Sequence, residues 1–139
     1  MKILTDCAAD LRPEEVKQYD ITVAPLYIQF PEGEINSDDL TPDQFYDRLE
    51  QMAPQIPTTA QPSAGIFADL YRKLVADKEE VVSIHVSSGL SGTIQSARVG
   101  MHNVPNAIIH LVGAMTLSGG QRFQVLAAAI AARAGQRTD

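Results

Sequence analysis

Residues 81–97 read Val81-Val82-Ser83-Ile84-His85-Val86-Ser87-Ser88-Gly89-Leu90-Ser91-Gly92-Thr93-Ile94-Gln95-Ser96-Ala97. Val81 to Val86 is a short, mostly β-branched run that reads as a buried strand, and it stops at Ser87-Ser88-Gly89. A helix follows from about Ser91 to His102, with Ile94, Ala97 and Met101 on its inward side. A buried strand, then hydroxyls and glycines, then a helix is the βα unit of a parallel sheet.

The same unit recurs on either side. Downstream, Ile108 to Val112 reads as a strand and Ser118 to about Ala134 as a helix. Upstream, Ile66, Phe67, Leu70, Tyr71 and Leu74 mark a helical stripe, preceded by the proline-rich loop Pro54 to Pro62 (PQIPTTAQP). At the amino end Lys2-Ile3-Leu4-Thr5 is a strand that stops at Asp6, and Pro13-Glu14-Glu15 suits a first helical turn. Ile21 to Phe30 is strand-like but broken by Pro25, so it reads as one bent strand or two short ones. Pro31-Glu32-Gly33 makes a turn. Thr41-Pro42-Asp43-Gln44 has capping-box spacing and opens a helix with Phe45, Tyr46, Leu49, Met52 and Ala53 on one face. This order predicts an α/β fold with an open, mostly parallel sheet and helices on both faces.

Composition narrows the function classes. With 139 residues the chain is long enough for one domain with its own core. A net charge of -6 sets nucleic acid aside as a partner. The longest apolar stretch, Val125 to Ala132, is far short of the ~20 residues that span a bilayer, so no membrane span is expected. The single cysteine, Cys7, and an amino terminus without signal-peptide layout point to the cytoplasm.

In open α/β sheets ligands bind beyond the carboxyl ends of the strands. Those positions share a chemistry here: Thr5-Asp6-Cys7, Thr58-Thr59, Ser87 to Thr93, and Thr116 with Ser118-Gly119-Gly120. Short hydroxyls and glycines at helix starts attract a small anionic headgroup, although serine and threonine are also ordinary helix caps. Leu117-Ser118-Gly119-Gly120-Gln121 spells the signature of ABC-transporter ATPases, but no phosphate-cradling G-x-x-x-x-G-K-[ST] accompanies it. Ser118 and Gln121 have capping-box spacing instead. Cys7 could be a nucleophile with His85, His102 or His110 as base, yet Asp6 beside it should raise the thiol pKa. The histidines show no metal-ligand spacing, and the acidic run Glu32, Glu34, Asp38, Asp39, Asp43 reads as a charged surface loop. The helix from 118 to 134 carries two apolar stripes: Phe123, Leu126, Ile130 and Ala134, and beside it Val125, Ala129 and Ala132. A helix apolar on two faces suits two neighbours.

Thr5-Asp6-Cys7 with Asp10-Leu11, Val23-Ala24-Pro25-Leu26, Pro57-Thr58-Thr59-Ala60-Gln61-Pro62-Ser63 and Ser87 to Ala97 resemble, in order and spacing, the DegV family of bacterial fatty-acid-binding proteins. The resemblance implies a two-domain α/β protein, not itself an enzyme and without cofactor or metal. Such a protein holds a long-chain fatty acid and presents its carboxylate to a fatty-acid kinase. It implies that Thr59 and Ser91 grip the carboxylate, with Ser88 and Gly92 close alternatives and Thr58, Asp6 and Cys7 at the same end of the sheet. This chain departs from the usual pattern at Cys7, Ala60 and Gly113-Ala114, each of which loses or weakens a polar group. A typical member is about twice as long. The resemblance therefore implies an amino-terminal domain over 1–117, a crossing helix over 118–139, and a second domain absent from this chain. The helix 118–134 is then the surface for that second half, a second polypeptide or a homodimer partner; a lipid-free dimerisation module is the alternative function. An acyl tail gains ~0.8 kcal/mol per CH₂ when enclosed, against ~1 kcal/mol net for each hydroxyl bond. Enclosure thus dominates affinity, and the hydroxyls supply selectivity for the headgroup.

Overall fold

The computed structural model describes residues 1–76, 79–136 and 138. Arg137 and Asp139, in the expected crossing segment, lie outside the described residues. Four parallel strands, β1 (Lys2–Asp6), β2 (Ile21–Ala24), β6 (Val81–His85) and β7 (Ile109–Gly113), form a sheet in the order β2-β1-β6-β7. Three further strands, β3 (Tyr27–Phe30), β4 (Gly33–Asn36) and β5 (Thr58–Ala60), make a separate antiparallel sheet in the order β4-β3-β5. Among the described residues the α-helices are α1 (Pro13–Tyr19), α2 (Pro42–Gln51), α3 (Ala64–Leu74), α4 (Thr93–His102) and α5 (Ser118–Arg133).

The parallel sheet is covered on both faces, as the sequence predicts. Strand alternation sends Ile3, Ile21 and Ile84 to one side, where Val125 and Ala129 of α5 pack on them. Leu4, Ala24 and Val81 go to the other, against Phe67 and Tyr71 of α3 and Ala97 of α4. Helices α3 and α4 approach so closely that a Cβ on Gly100 would lie 2.6 Å from Phe67 Cβ and 2.8 Å from the Ala64 carbonyl. Helix α5 turns its second stripe to the sheet, with Leu126 of the first packed against the same cluster, and leaves Phe123 (75% exposed) and Ile130 (53%) open.

Pro25 separates two strands that belong to different sheets, so the two-strand reading of Ile21 to Phe30 holds. Two expectations need correction. The loop read over Pro54 to Pro62 contains β5, paired along β3 with Thr59 opposite Ile28; three prolines hide a strand that is stabilised by its neighbour rather than by its own propensity. The acidic run read as a surface loop includes β4, a hairpin partner of β3. Helix α2 begins with the expected capping box, in which Thr41 Oγ1 accepts from Gln44 N–H at 3.2 Å and Gln44 Oε1 accepts from Thr41 N–H at 3.0 Å. Its apolar face, however, contains no buried residue. Residues 25–62 therefore form a flap built on Phe30, which is buried against Phe45 and lies under the Arg48 guanidinium.

An ion pair joins α1 and α5, which cover the same face of the parallel sheet. Arg122 of α5 donates to Glu15 of α1 at 2.6 Å, and this bond, with the Arg12 N–H, holds the Glu15 carboxyl down at about 2 against an ordinary 4.5. A depressed carboxyl contributes stability that is present above 4.5 and lost as pH falls towards 2. Arg122→Gln should move the Glu15 transition in a ¹³C NMR titration back towards the ordinary range; an unmoved transition would show that Arg122 is not the cause.

Candidate functional site

Three segments meet at the carboxyl end of the parallel sheet: the turn after β1, the serine loop between β6 and α4, and the loop between β7 and α5. The serine loop is a compact turn on Ser87, whose carbonyl accepts from both Leu90 N–H and Ser91 N–H at 2.9 and 3.1 Å. Ser87 N–H in turn donates to the Thr116 carbonyl at 3.0 Å, which ties this loop to the one after β7. Ser91 Oγ accepts from Thr93 N–H and pairs with Thr93 Oγ1 at 2.8 Å, so its hydroxyl is oriented at the first turn of α4. Gly92 caps α4 without a side-chain hydrogen bond. Ser88 stands exposed at the tip. The helix start with its positive dipole end is thus open to an anion.

Thr58 and Thr59 reach this end from the flap, both exposed on the edge strand β5. Two residues on, Gln61 lies against Gly92: a Cβ there would come within 2.9 Å of Gln61 Nε2. That close approach brings the Thr59 segment and the Ser91 segment together. Neither segment 57–63 nor segment 87–97 contains a lysine or arginine. An anion here would be met by hydroxyls and amides alone.

Asp6 occupies a different place. It is 0% exposed, and each carboxylate oxygen has two donors. Oδ1 accepts from Ala8 N–H and Gln121 Nε2, both at 3.1 Å. Oδ2 accepts from Val86 N–H at 3.0 Å and His85 Nδ1 at 2.9 Å. Burial by itself raises the Asp6 pKa; the bonds from His85, Val86 and Gln121 outweigh it and hold the carboxyl below its ordinary value. Asp6 thus lies beneath the site and braces it. The chain continues from His85 Nε2 to Ser83 Oγ at 2.7 Å and on to Tyr71 OH at 2.9 Å, all buried. One proton arrangement lets every donor in this chain donate: Tyr71 to Ser83, Ser83 to His85 Nε2, and His85 Nδ1 to Asp6.

The Ser83–His85–Asp6 connection was not foreseen from the sequence, where His85 stood only as a candidate base for Cys7. Part of the signal was there: Ser83 and His85 alternate with Ile84 on one strand and so share a face. Gln121 corrects an expectation. The capping-box spacing with Ser118 is not used; Ser118 Oγ donates to Asp10 Oδ2 at 3.3 Å, while Gln121 turns inward to Thr5 Oγ1 and Asp6. Its Oε1 is buried without a partner among the described residues.

Cys7 pairs with Ser37 Oγ of the flap at 3.5 Å. Burial pushes its thiol pKa up, and Asp38 and Asp6 add to the rise, so it is a poor nucleophile. A cavity of about 500 Å³ opens beside it, floored by Leu11, Val16 and Val23. Asp10, Asp38 and Lys17 also line it, so its wall carries charges of both signs.

A family model described as an uncharacterised protein of the DegV family matches residues 1–139. A DegV domain-containing protein of Streptococcus pneumoniae is 34% identical over 136 residues, covering 98% of this chain and 48% of its own. Among solved structures, a fatty-acid-binding DegV family protein from Thermus thermophilus superposes with a TM-score of 0.90 at 30% identity, over 99% of this chain and 49% of that one. A stearic-acid-binding protein from Eubacterium ventriosum gives 0.86 at 26% identity, over 99% and 49%. The chain spans about half the length of these relatives. Among the described residues no helix is long and apolar enough to cross a membrane.

Proposed function

The chain belongs to the DegV family, and on that premise we propose that it grips the carboxylate of a long-chain fatty acid between Thr59 on β5 and Ser91 with the Gly92 amide ahead of α4. The observation that carries this reading is the contact of Gln61 with Gly92, which sets the two hydroxyl segments side by side at a helix start. Ser88 and Thr58 flank them as further donors. Asp6 and Cys7 lie behind: Asp6 as a brace and Cys7 as the point where the flap rests on the body. The protein is non-catalytic in this reading. It works in the cytoplasm and offers the carboxylate to a fatty-acid kinase from an exposed loop.

Each hydroxyl bond to a charged carboxylate contributes about 1.5–3 kcal/mol. Thr59→Val with Ser91→Ala should therefore weaken fatty-acid binding by roughly 10² to 10⁴-fold and strip co-purifying acid, read by mass spectrometry. Unchanged lipid content in the folded double variant would end this proposal. The open side of α5 supports a second reading, in which Phe123 and Ile130 pack on further chain or on a second copy. Light scattering decides there: a stable dimer without lipid favours the interaction module, and a monomer that binds fatty acid excludes it.

A further inference from the structure

Buried, hydrogen-bonded side chains run through the sheet from α3 to α5: Tyr71, Ser83, His85, Asp6 and Gln121. Each is fully buried, so none touches a ligand at the surface. We infer that this chain is the positioning network of the anion-binding loop, with Asp6 and His85 acting through Val86 to set where the Ser87–Gly92 turn stands. The inference rests on the proposed carboxylate site and names the residues that hold it in register.

The geometry behind it is specific. Asp6 Oδ2 takes the Val86 N–H and the His85 ring, so it grips the last two residues before the serine loop. Asp6 Oδ1 takes the Ala8 N–H at the turn after β1 and Gln121 at the first turn of α5. A single carboxylate thus ties together the turn after β1, the residues that lead into the serine loop and the first turn of α5. Ser83 and Tyr71 lock the ring from the far side, where Phe67 packs edge-on against it at 5.1 Å. Packing alone does not call for this arrangement, since well-fitted apolar groups stabilise a core as well as a buried polar chain does. Donors aimed at an anion, by contrast, must be held to within about 0.5 Å.

Two readouts separate positioning from bulk stability. The first is amide hydrogen exchange in the ligand-free protein, and the second is the ratio of affinities for hexadecanoic acid and hexadecanol, which share a tail and differ at the headgroup. His85→Leu should speed exchange across 86–93 relative to β1 and cut the acid-over-alcohol ratio about tenfold. His85→Asn, whose amide nitrogen takes the place of Nδ1 and keeps a donor for Asp6, should restore part of both. Tyr71→Phe, a milder change that keeps the fold, should move both in the same direction by less. If the variants lower thermal stability but leave exchange at 86–93 and the ratio unchanged, the inference is overturned. If the unaltered protein shows no preference for the acid, the proposed function fails instead, and exchange at 86–93 still decides the network's role.

Discussion

Gly100→Ala is expected to lower stability by about 3 kcal/mol, although alanine is the better helix former by about 1 kcal/mol. The added methyl would sit 2.6 Å from Phe67 Cβ, 2.8 Å from the Ala64 carbonyl and 3.0 Å from the Ala68 nitrogen. Two of those three atoms are backbone, so no side-chain rotation relieves the clash, and α4 must move away from α3. Because α4 starts at Gly92, that movement also displaces the serine loop, and fatty-acid retention should fall with stability. Urea unfolding measures the effect as a lower midpoint at unchanged slope. Gly119→Ala is the control. Nothing lies within 4 Å of a Cβ there, so the same substitution in α5 should be neutral or stabilising by up to about 1 kcal/mol. A Gly100→Ala protein as stable as the parent would mean that α3 and α4 are not in the contact described.

Asp6→Ala is expected to cost about 3–5 kcal/mol, a large share of the roughly 5–15 kcal/mol that holds a domain together. It strands three buried donors, Val86 N–H, the His85 ring and the Gln121 amide, and with them the half-buried Ala8 N–H. Asparagine should rescue little, because each oxygen accepts two donors and an amide nitrogen on either side would face two N–H groups. The pH dependence carries a definite sign. Asp6 is held below its ordinary value, so its contribution is present above the unfolded pKa of about 3.9 and disappears as pH falls through the lower folded value. Acid unfolding of the parent should show this loss below about pH 4, and the Asp6→Ala protein should lack that part of the transition. Equal stabilities at neutral pH would contradict the buried array.

Much of the fold was legible in the sequence because the parallel strands carry their own signal. Val81 to Val86 is a compact, mostly β-branched run that stops at hydroxyls and glycines, and the helices bear periodic stripes. The antiparallel sheet was not legible for the opposite reason. Thr58-Thr59-Ala60 between prolines has no run of its own and becomes a strand only when β3 supplies hydrogen bonds along Tyr27 to Gln29. At the candidate site, the loops Thr58-Thr59 and Ser87 to Thr93 were marked by their setting and Thr59 and Ser91 by the family resemblance, but the approach of the two segments depends on Gln61 meeting Gly92 across 31 positions of chain. The role of Asp6 was hidden too. A carboxylate after a strand looks the same whether it faces a ligand or is enclosed by His85 and Gln121 from elements 79 and 115 positions away.

The flap has a consequence for how selectivity can change. Among the described residues, neither core cluster includes any position between Pro25 and Pro62. The four-stranded scaffold thus settles its own stability with β2 on one side of that insertion and α3 on the other. Thr58 and Thr59 ride on the insertion, whereas Ser91 belongs to the scaffold. One half of the proposed carboxylate site can therefore vary in length, polarity or reach without unsettling the half carried by the scaffold. A scaffold divided in this way leaves its specificity element free to diverge, and a flap exchanged between relatives at Pro25 and Pro62 would transplant it as a unit.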